Sequence, residues 1–381
     1  MDDNPRFNRR AFLAATGVSL TSATAGCLNF GPDDNTPTET NTETKTDSPT
    51  ETPGEPARQL PSVAAPDEPA VYIPSHFDGR EMLGMQESGP YMMSLMYTLV
   101  HDFWVFAGQE PEHVPVQEGQ TMHIMSSVWD PEFGNLLPTG NPDITITTGD
   151  GEEVDQRSLW SMLAQQMGPH FGDNVTLPES GEYNVTIDVD PVSARQLGAY
   201  VDRFNSAESA TFTFDFQFED LTDIRTELLN DAGQNGALPP ASMGDRPSGS
   251  LPDVEELPGF NVGVETSGQA EFAVQRLHPS PDGLDSSDPY IAVSPRTPYN
   301  KYPLPFMGVR GTVTAPDETE LFKDILQPAL HPELGYHYGA VVRGLASEDR
   351  LELEIGSPPQ ISQHRGYQTA FREFEDLQFT I

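Results

Sequence analysis

The stretch MGPHFGDNVTLPESGEYNVTIDV (167–189) decides how the chain is read. From Tyr183 onward it alternates apolar and polar residues, the period of a strand with one buried face. Its first half is punctuated by Gly, Pro and Asn and reads as a turn, with His170 held between Pro169 and Phe171. Working outward, the same alternation recurs in YMMSLMYTLV (91–100), MHIMSSVWD (122–130), DITITT (143–148) and ATFTFDFQF (210–218). It returns in AEFAVQRL (270–277), PYIAVSP (289–295), FMGVRGTVTA (306–315) and RLELEI (350–355). Short strands separated by Gly, Pro and Asp predict an all-β chain of antiparallel sandwiches. One brief helix is predicted around Leu159–Gln166, and GALPPASMGDRPSGSLPD (236–253) reads as an interdomain linker.

A length of 381 residues allows two ordinary domains with appendages. The predicted organisation is a signal at 1–27, a Thr/Pro/acidic tether at 28–70 and a first immunoglobulin-like β-sandwich at 71–222. A connector at 223–262 leads to a second, related β-sandwich at 263–381. Asp and Glu number 59 against 20 Lys and Arg, a formal charge of -39. Only Lys45, Lys301 and Lys323 are lysines. Such a surface stays hydrated in concentrated salt and points to an extreme halophile. It also argues against nucleic acid, since no basic stripe is present to release counterions.

The N-terminus is an address. Asn8-Arg9-Arg10-Ala11-Phe12-Leu13 resembles a twin-arginine export signal, and the apolar run that follows is too short to span a bilayer. Thr24-Ala25-Gly26-Cys27 resembles a lipobox, with Thr24 where Leu or Val is usual. Cys27 is therefore expected to carry lipid and to anchor the chain on the outer face of the cell membrane. It is the single cysteine, which excludes an intramolecular disulfide and a thiolate site in the mature fold. The tether DDNTPTETNTETKTDSPTETPGEP (33–56) offers nothing apolar for a core.

The two halves repeat. GPHFGDNVTLPESGEYNVTIDVDPVSARQLGAY (168–200) sets beside GYHYGAVVRGLASEDRLELEIGSPPQISQHRGY (335–367), with His170 on His337 inside G-x-H-[FY]-G and Tyr200 on Tyr367. Upstream, PYMMSLMYTL is set against PYIAVSPRTP. The first copy also holds His101, His123, Met125, Met162 and Met167, and alternation puts His123 and Met125 on one strand face. Imidazole and thioether together suit copper, Cu(I) especially, and tolerate other late transition metals. Each of these residues alone is more often a core methionine or a hydrogen-bonded histidine.

The run from Gly79 to Phe216 resembles the Tpd family of exported iron-transport accessory proteins. GPYMMSLMY is similar to that family's early strand, His123 matches its first ligand, and His170 in GPHFG matches the histidine of its D-G-x-H-Y-G motif. The resemblance implies a β-sandwich dimer that binds copper or iron beside an iron permease. Joined with the His and Met residues read directly from the two copies, it gives a candidate metal set of His123, Met125, Met162, His170, His337, His364 and His101. The sequence also departs from the family. Met125 stands where the family has a glutamate ligand. Met162 lies eight residues before His170 rather than seven, with Leu163 in the family's position. The late histidine is replaced by Arg195 and Gln196 in the first copy and returns as His364 in the second. The second copy keeps His337 but shows only Met307 near the strand corresponding to that of His123.

Each copy thus reads as an incomplete site. Either the copies pair as an intrachain pseudo-dimer, pooling His123, Met162 and His170 with His364 or His337, or the second has lost binding and stabilises the first; a homodimer is the other assembly. His76, His113, His278 and His331 read as surface residues. Asn174 and Asn184 open glycosylation sequons. The expected function is a lipid-anchored metal-binding protein that assists iron uptake through a membrane permease, and not an enzyme. A second reading is a structural or adhesion module of the envelope with no metal; a third is redox chemistry at a copper centre. No Ser/His/Asp order, phosphate loop or HExxH supports a hydrolase.

Overall fold

The computed structural model describes residues 63–108 and 110–381. Cys27, the twin-arginine pair and most of the tether lie outside the described residues. The chain from Val63 to Ile381 falls within one compact unit, built almost wholly of antiparallel strands.

Five sheets form from the alternating runs. The largest has eight strands in the order Glu81–Ser88, Tyr91–Thr98, Met122–Trp129, Gly168–Val175, Trp160–Ala164, Ser362–Gln363, Phe103–Phe106, Pro111–Val114. A four-stranded sheet accompanies it, ordered Glu208–Phe216, Gly181–Val189, Asp143–Thr148, Glu153–Ser158. Burial follows position. Every residue of Met122–Trp129 is buried because both faces of this central strand are covered. In Glu208–Phe216 alternate residues face solvent. The inward Phe212, Phe214, Val185 and Ile187 join Leu95, Ile124 and Val128 in the main core. Full burial of each such side chain contributes about 1.5–3 kcal/mol.

The second half repeats this plan. A six-stranded sheet runs Arg195–Gln196, Gln327–His331, Gly335–Val341, Tyr290–Arg296, Ala270–Leu277, Phe260–Ser267, and a four-stranded sheet runs Glu320–Ile325, Gly308–Thr314, Arg350–Ser357, Leu377–Thr380. The register confirms the duplication. Tyr290 pairs with Val341 as His123 pairs with Asn174, and Val293 with Tyr338 as Ser126 with Phe171. Even the bulge between Met82 and Gly84 in the first hairpin recurs between Asn261 and Gly263.

This register corrects the upstream alignment read from sequence. The counterpart of Tyr91–Thr98 is Ala270–Leu277, and that of Met122–Trp129 is Tyr290–Arg296. The shared Pro-Tyr letters misled because the first copy has a longer connection between these strands. That connection, residues 99–121, carries His101 and adds Phe103–Phe106 and Pro111–Val114 to the sheet.

The two copies exchange short strands. Ser362–Gln363 of the second pairs in parallel with Met162 and Leu163 of the first, and Arg195–Gln196 of the first pairs in parallel with Ala329 and Leu330 of the second. Both exchanges occupy matching positions, so the chain is an intrachain pseudo-dimer.

Three local expectations fail. The predicted helix around Leu159–Gln166 is the strand Trp160–Ala164, because hydrogen bonding to Gly168–Val175 on one side and Ser362–Gln363 on the other overrides a weak helical pattern. His170 is likewise on a strand rather than in a turn. The Pro/Gly/Ser-rich segment 236–253 is pinned to the fold at Gly236, Met243, Arg246 and Leu251, which are buried. Its Arg246 is buried, with Nε donating to Ser127 Oγ at 2.7 Å and Nη2 to the carbonyls of Met167 and Pro169 at 2.8 and 3.1 Å.

Candidate metal centre

Adjacent strands bring the donors together. His123 lies on Met122–Trp129 and His170 on its antiparallel neighbour Gly168–Val175. Met162, on the next strand, stands directly opposite His170. The exchanged strand delivers His364, whose backbone N–H donates to Leu163 O at 3.1 Å. His101 reaches in from the inserted connection. The donor atoms of His101, His123 and His364 lie within 4.8 Å of one another, and among the described residues this is the one group of three His, Cys, Asp or Glu that could hold a metal ion. His170 packs on His364 with ring centroids 5.1 Å apart, and Met162 Sδ is 3.4 Å from His364 Nε2. His123 and His170 are buried, while His101 and His364 form a half-buried lip.

Hydrogen bonds set the rings in one tautomer. His101 Nδ1–H donates to Leu99 O, and His170 Nδ1–H to Gly168 O, each at 3.0 Å. His123 Nδ1–H donates to Asn174 Oδ1 at 3.0 Å. The orientation of that amide is fixed because Asn174 Nδ2 donates to His101 O at 2.9 Å. In each of these imidazoles Nε2 therefore carries the lone pair, and it is bare in His123 and His170. His123 Nε2 and His170 Nε2 are buried with no hydrogen-bond partner, a costly state for a polar atom unless something is meant to meet it. His364 Nδ1–H donates to His101 Nε2 at 3.0 Å. This arrangement, a ring nitrogen turned inward while the other is held by an oxygen, is how proteins orient metal-ligating histidines.

Electrostatics keep the rings neutral. Burial pushes His170 down to about 3, helped by the positive charges of Arg246 and Arg80. Burial, then the neighbouring imidazoles, holds His123 and His364 well below the usual histidine range. At neutral pH each ring is uncharged; His123, His170 and His364 offer a free lone pair, while that of His101 accepts from His364 Nδ1–H. The residues present thus fit a late transition metal: soft and borderline donors, convergent and deprotonated.

The G-x-H-[FY]-G pattern now has a physical basis. Gly168 adopts φ +66°, a region that favours glycine. A Cβ on Gly172 would lie 2.8 Å from His123 Nε2 and 3.2 Å from Met162 Sδ, so this glycine keeps open the space in which the donors meet.

Other residues singled out from the sequence go elsewhere. Met125 packs with Met96, Met167 and Met243, one step along the His123 face, rather than among the imidazoles. His337 sits in the second copy, where its Nδ1–H donates to Gly335 O at 3.0 Å and its Nε2 accepts from the Tyr290 hydroxyl at 3.1 Å. Its separation from the cluster follows from the pseudo-dimer, which brings His364 across and leaves His337 at the matching place in the other half. Met307 is buried in the core. His331 is half-buried beside Gly198 rather than on the surface. Asn174 was read only as a sequon; it is buried and its amide is fully engaged, which removes it as a glycosylation acceptor in the folded chain. Tyr290, at the register position of His123, carried no sequence signal until the strands were paired.

Comparison with known proteins adds the following. Residues 130–222 match the family described as Fe2+ transport protein, and residues 255–380 match a domain of unknown function (DUF7350). The iron-transport match contains Met162 and His170. Among solved structures, the chain is similar to a copper-bound variant of FetP from uropathogenic Escherichia coli strain F11, at 16% identity, covering 36% of this chain and 92% of that one with a TM-score of 0.29. It is also similar to copper-reconstituted P19 from Campylobacter jejuni, at 15% identity over 36% of this chain and 97% of that one, with a TM-score of 0.29. No curated protein matches the chain.

Proposed function

We propose that the chain is an extracytoplasmic metal-binding protein that assists iron uptake. It would hold one copper or iron ion between His101, His123, His170 and His364, with the Met162 thioether as a further donor. The observation that carries this is the pair of buried, unpartnered Nε2 atoms of His123 and His170, facing His364 and a methionine sulfur. Other buried polar atoms also lack a partner, but these two converge with His364 and the Met162 sulfur as a ligand set would. The iron-transport family match over residues 130–222 supports this role.

Binding here must allow release. Imidazole and thioether are neutral ligands, so the ion is held by coordination without the extra attraction of a thiolate or carboxylate. The half-buried lip of His101 and His364 gives access from solvent, while His123 and His170 form the floor. In this reading the twin-arginine signal and a lipid on Cys27 place the protein on the outer face of the membrane, where it hands metal to a permease. The test is metal content. The full chain, stripped with chelator in molar salt, is titrated with copper, iron and manganese, and bound metal is counted by elemental analysis. One tight equivalent that disappears in His123→Ala is expected. Retention no greater than that of the denatured chain would leave an acidic surface scaffold.

A further inference from the structure

We propose that this centre selects a monovalent soft cation, copper(I), over divalent ions, through an all-neutral imidazole and thioether donor set. The proposal rests on the metal-centre reading above and goes on to name the ion's charge.

Three observations support it. First, among the described residues the donor group contains no carboxylate. Asp102, adjacent to His101 in sequence, is committed elsewhere, accepting from Arg365 Nη2 at 2.5 Å and His113 Nε2 at 2.9 Å. Second, the face beyond His123 is lined by sulfur: Met125, Met96, Met167 and Met243 cluster there, with Met82 against them. Third, the fixed charges nearest His170 are positive. Arg246 is buried with its guanidinium on the Met167 and Pro169 carbonyls, the residues bracketing Gly168. Arg80 directs Nη1 to Met243 Sδ at 3.4 Å and Nη2 to Gln166 Oε1 at 3.0 Å.

Charge then decides the ion. The cost of moving an ion from water into a poorly polarisable site grows as the square of its charge, so a divalent ion costs about four times as much as a monovalent one of the same size. A divalent ion normally recovers that cost from anionic ligands. This pocket supplies no carboxylate donor; two guanidiniums act on His170, and on the His101 side the charges of Asp78 and Asp102 are opposed by Arg365. A monovalent ion needs less recovery, and thioether with imidazole is the donor set that copper(I) prefers.

The experiment is an anaerobic competition. The full chain in molar salt is titrated with copper(I) held by bicinchoninate, and separately with copper(II), iron(II) and manganese(II) against matched chelators. Copper(I) is expected to bind at least ~100-fold tighter than any divalent ion. Equal or tighter binding of copper(II) or iron(II) would overturn the selectivity while leaving the metal centre intact. Failure of all four ions to bind would remove the metal centre itself. A second variant keeps the test independent of core folding: His101→Glu places a carboxylate on the half-buried lip. It should shift the copper(I) to copper(II) preference at least ~10-fold toward copper(II), with the far-UV circular dichroism unchanged. An unchanged ratio would show that ligand charge does not set the selectivity.

Discussion

The chain contains the same site twice, and the two versions differ in their side chains and in the inserted connection 99–121 that brings His101 to the first. In the first, His123 and His170 lie four residues out of register on paired strands, Met162 stands opposite His170, and His364, arriving with the exchanged strand, packs against both histidines. In the second, Tyr290 stands at the place of His123 and Ala329 at that of Met162; the register puts Leu197, rather than Arg195 or Gln196, at that of His364, and only His337 persists. Leu197, Ala329 and Tyr290 join Leu257, Leu277 and Leu334 in a small apolar cluster. The backbone device survives in both: Gly335 has φ +65°, and a Cβ on Gly339 would run into the Tyr290 hydroxyl. What distinguishes the copies is how the histidine's lone pair ends. In the first it is left bare, and in the second a tyrosine O–H quenches it.

The largest expected effect tests that contrast directly. His364→Ala should lower copper affinity by more than the ~10–100-fold typical of removing a supporting residue, since it removes a donor outright, whereas His337→Ala should leave affinity and stoichiometry unchanged. Equilibrium dialysis against a chelator series reads both. Equal losses in the two variants would mean that the second copy binds too. Next in size is Asn174→Ala. It frees His123 Nδ1 and abandons His101 O, so affinity should drop ~10–100-fold while one equivalent still binds at saturation. Asn174→Asp should restore much of it by accepting from the same N–H.

How far the sequence carries this is uneven. The strands were legible wherever one face meets solvent, as in Glu208–Phe216, because alternation survives there. They were blurred where both faces are covered, as in Trp160–Ala164, whose neighbours come from distant positions in the chain. His123, Met162, His170 and His364 could be named as candidates from motif resemblance, and His101 from its residue type. That His364 rather than His337 meets them depends on a two-residue parallel pairing, too short to leave a pattern. Met125 misled because alternation assigns a face and not a distance along it. Asn174 and Arg246 were invisible because their roles are hydrogen bonds to partners fixed only by folding.

Acidification should separate the copies more gently. The histidines of the first site have folded values below the unfolded 6.5, that of His170 about 3, and His337 is held at about 4, in each case chiefly by burial. The unfolded chain therefore binds more protons between these values. Stability is complete above about pH 6.5 and is lost as the pH falls toward the folded values. In metal-free protein at constant molar salt, Tm should drop on moving from pH 7 to 4. His337→Gln should remove only a small part of that slope, because most of the depressed histidines lie in the first site. A slope abolished by that single change would place the acid sensitivity in the second copy.

The smallest effect concerns Tyr290→Phe. The ring stays in its apolar cluster and loses only the hydroxyl that donates to His337 Nε2. Both residues are buried, so the nitrogen is left without a partner, at a cost of about 1–3 kcal/mol. A urea midpoint shifted downward with an unchanged slope would show that cost. The variant recreates at His337 the bare lone pair that His123 and His170 carry, but Ala329 and Leu197 bring no further donor. Copper stoichiometry should therefore stay at one. If Tyr290→Phe instead takes up a second equivalent, the second copy is a masked site held shut by one hydroxyl, and the difference between the halves is regulation rather than loss.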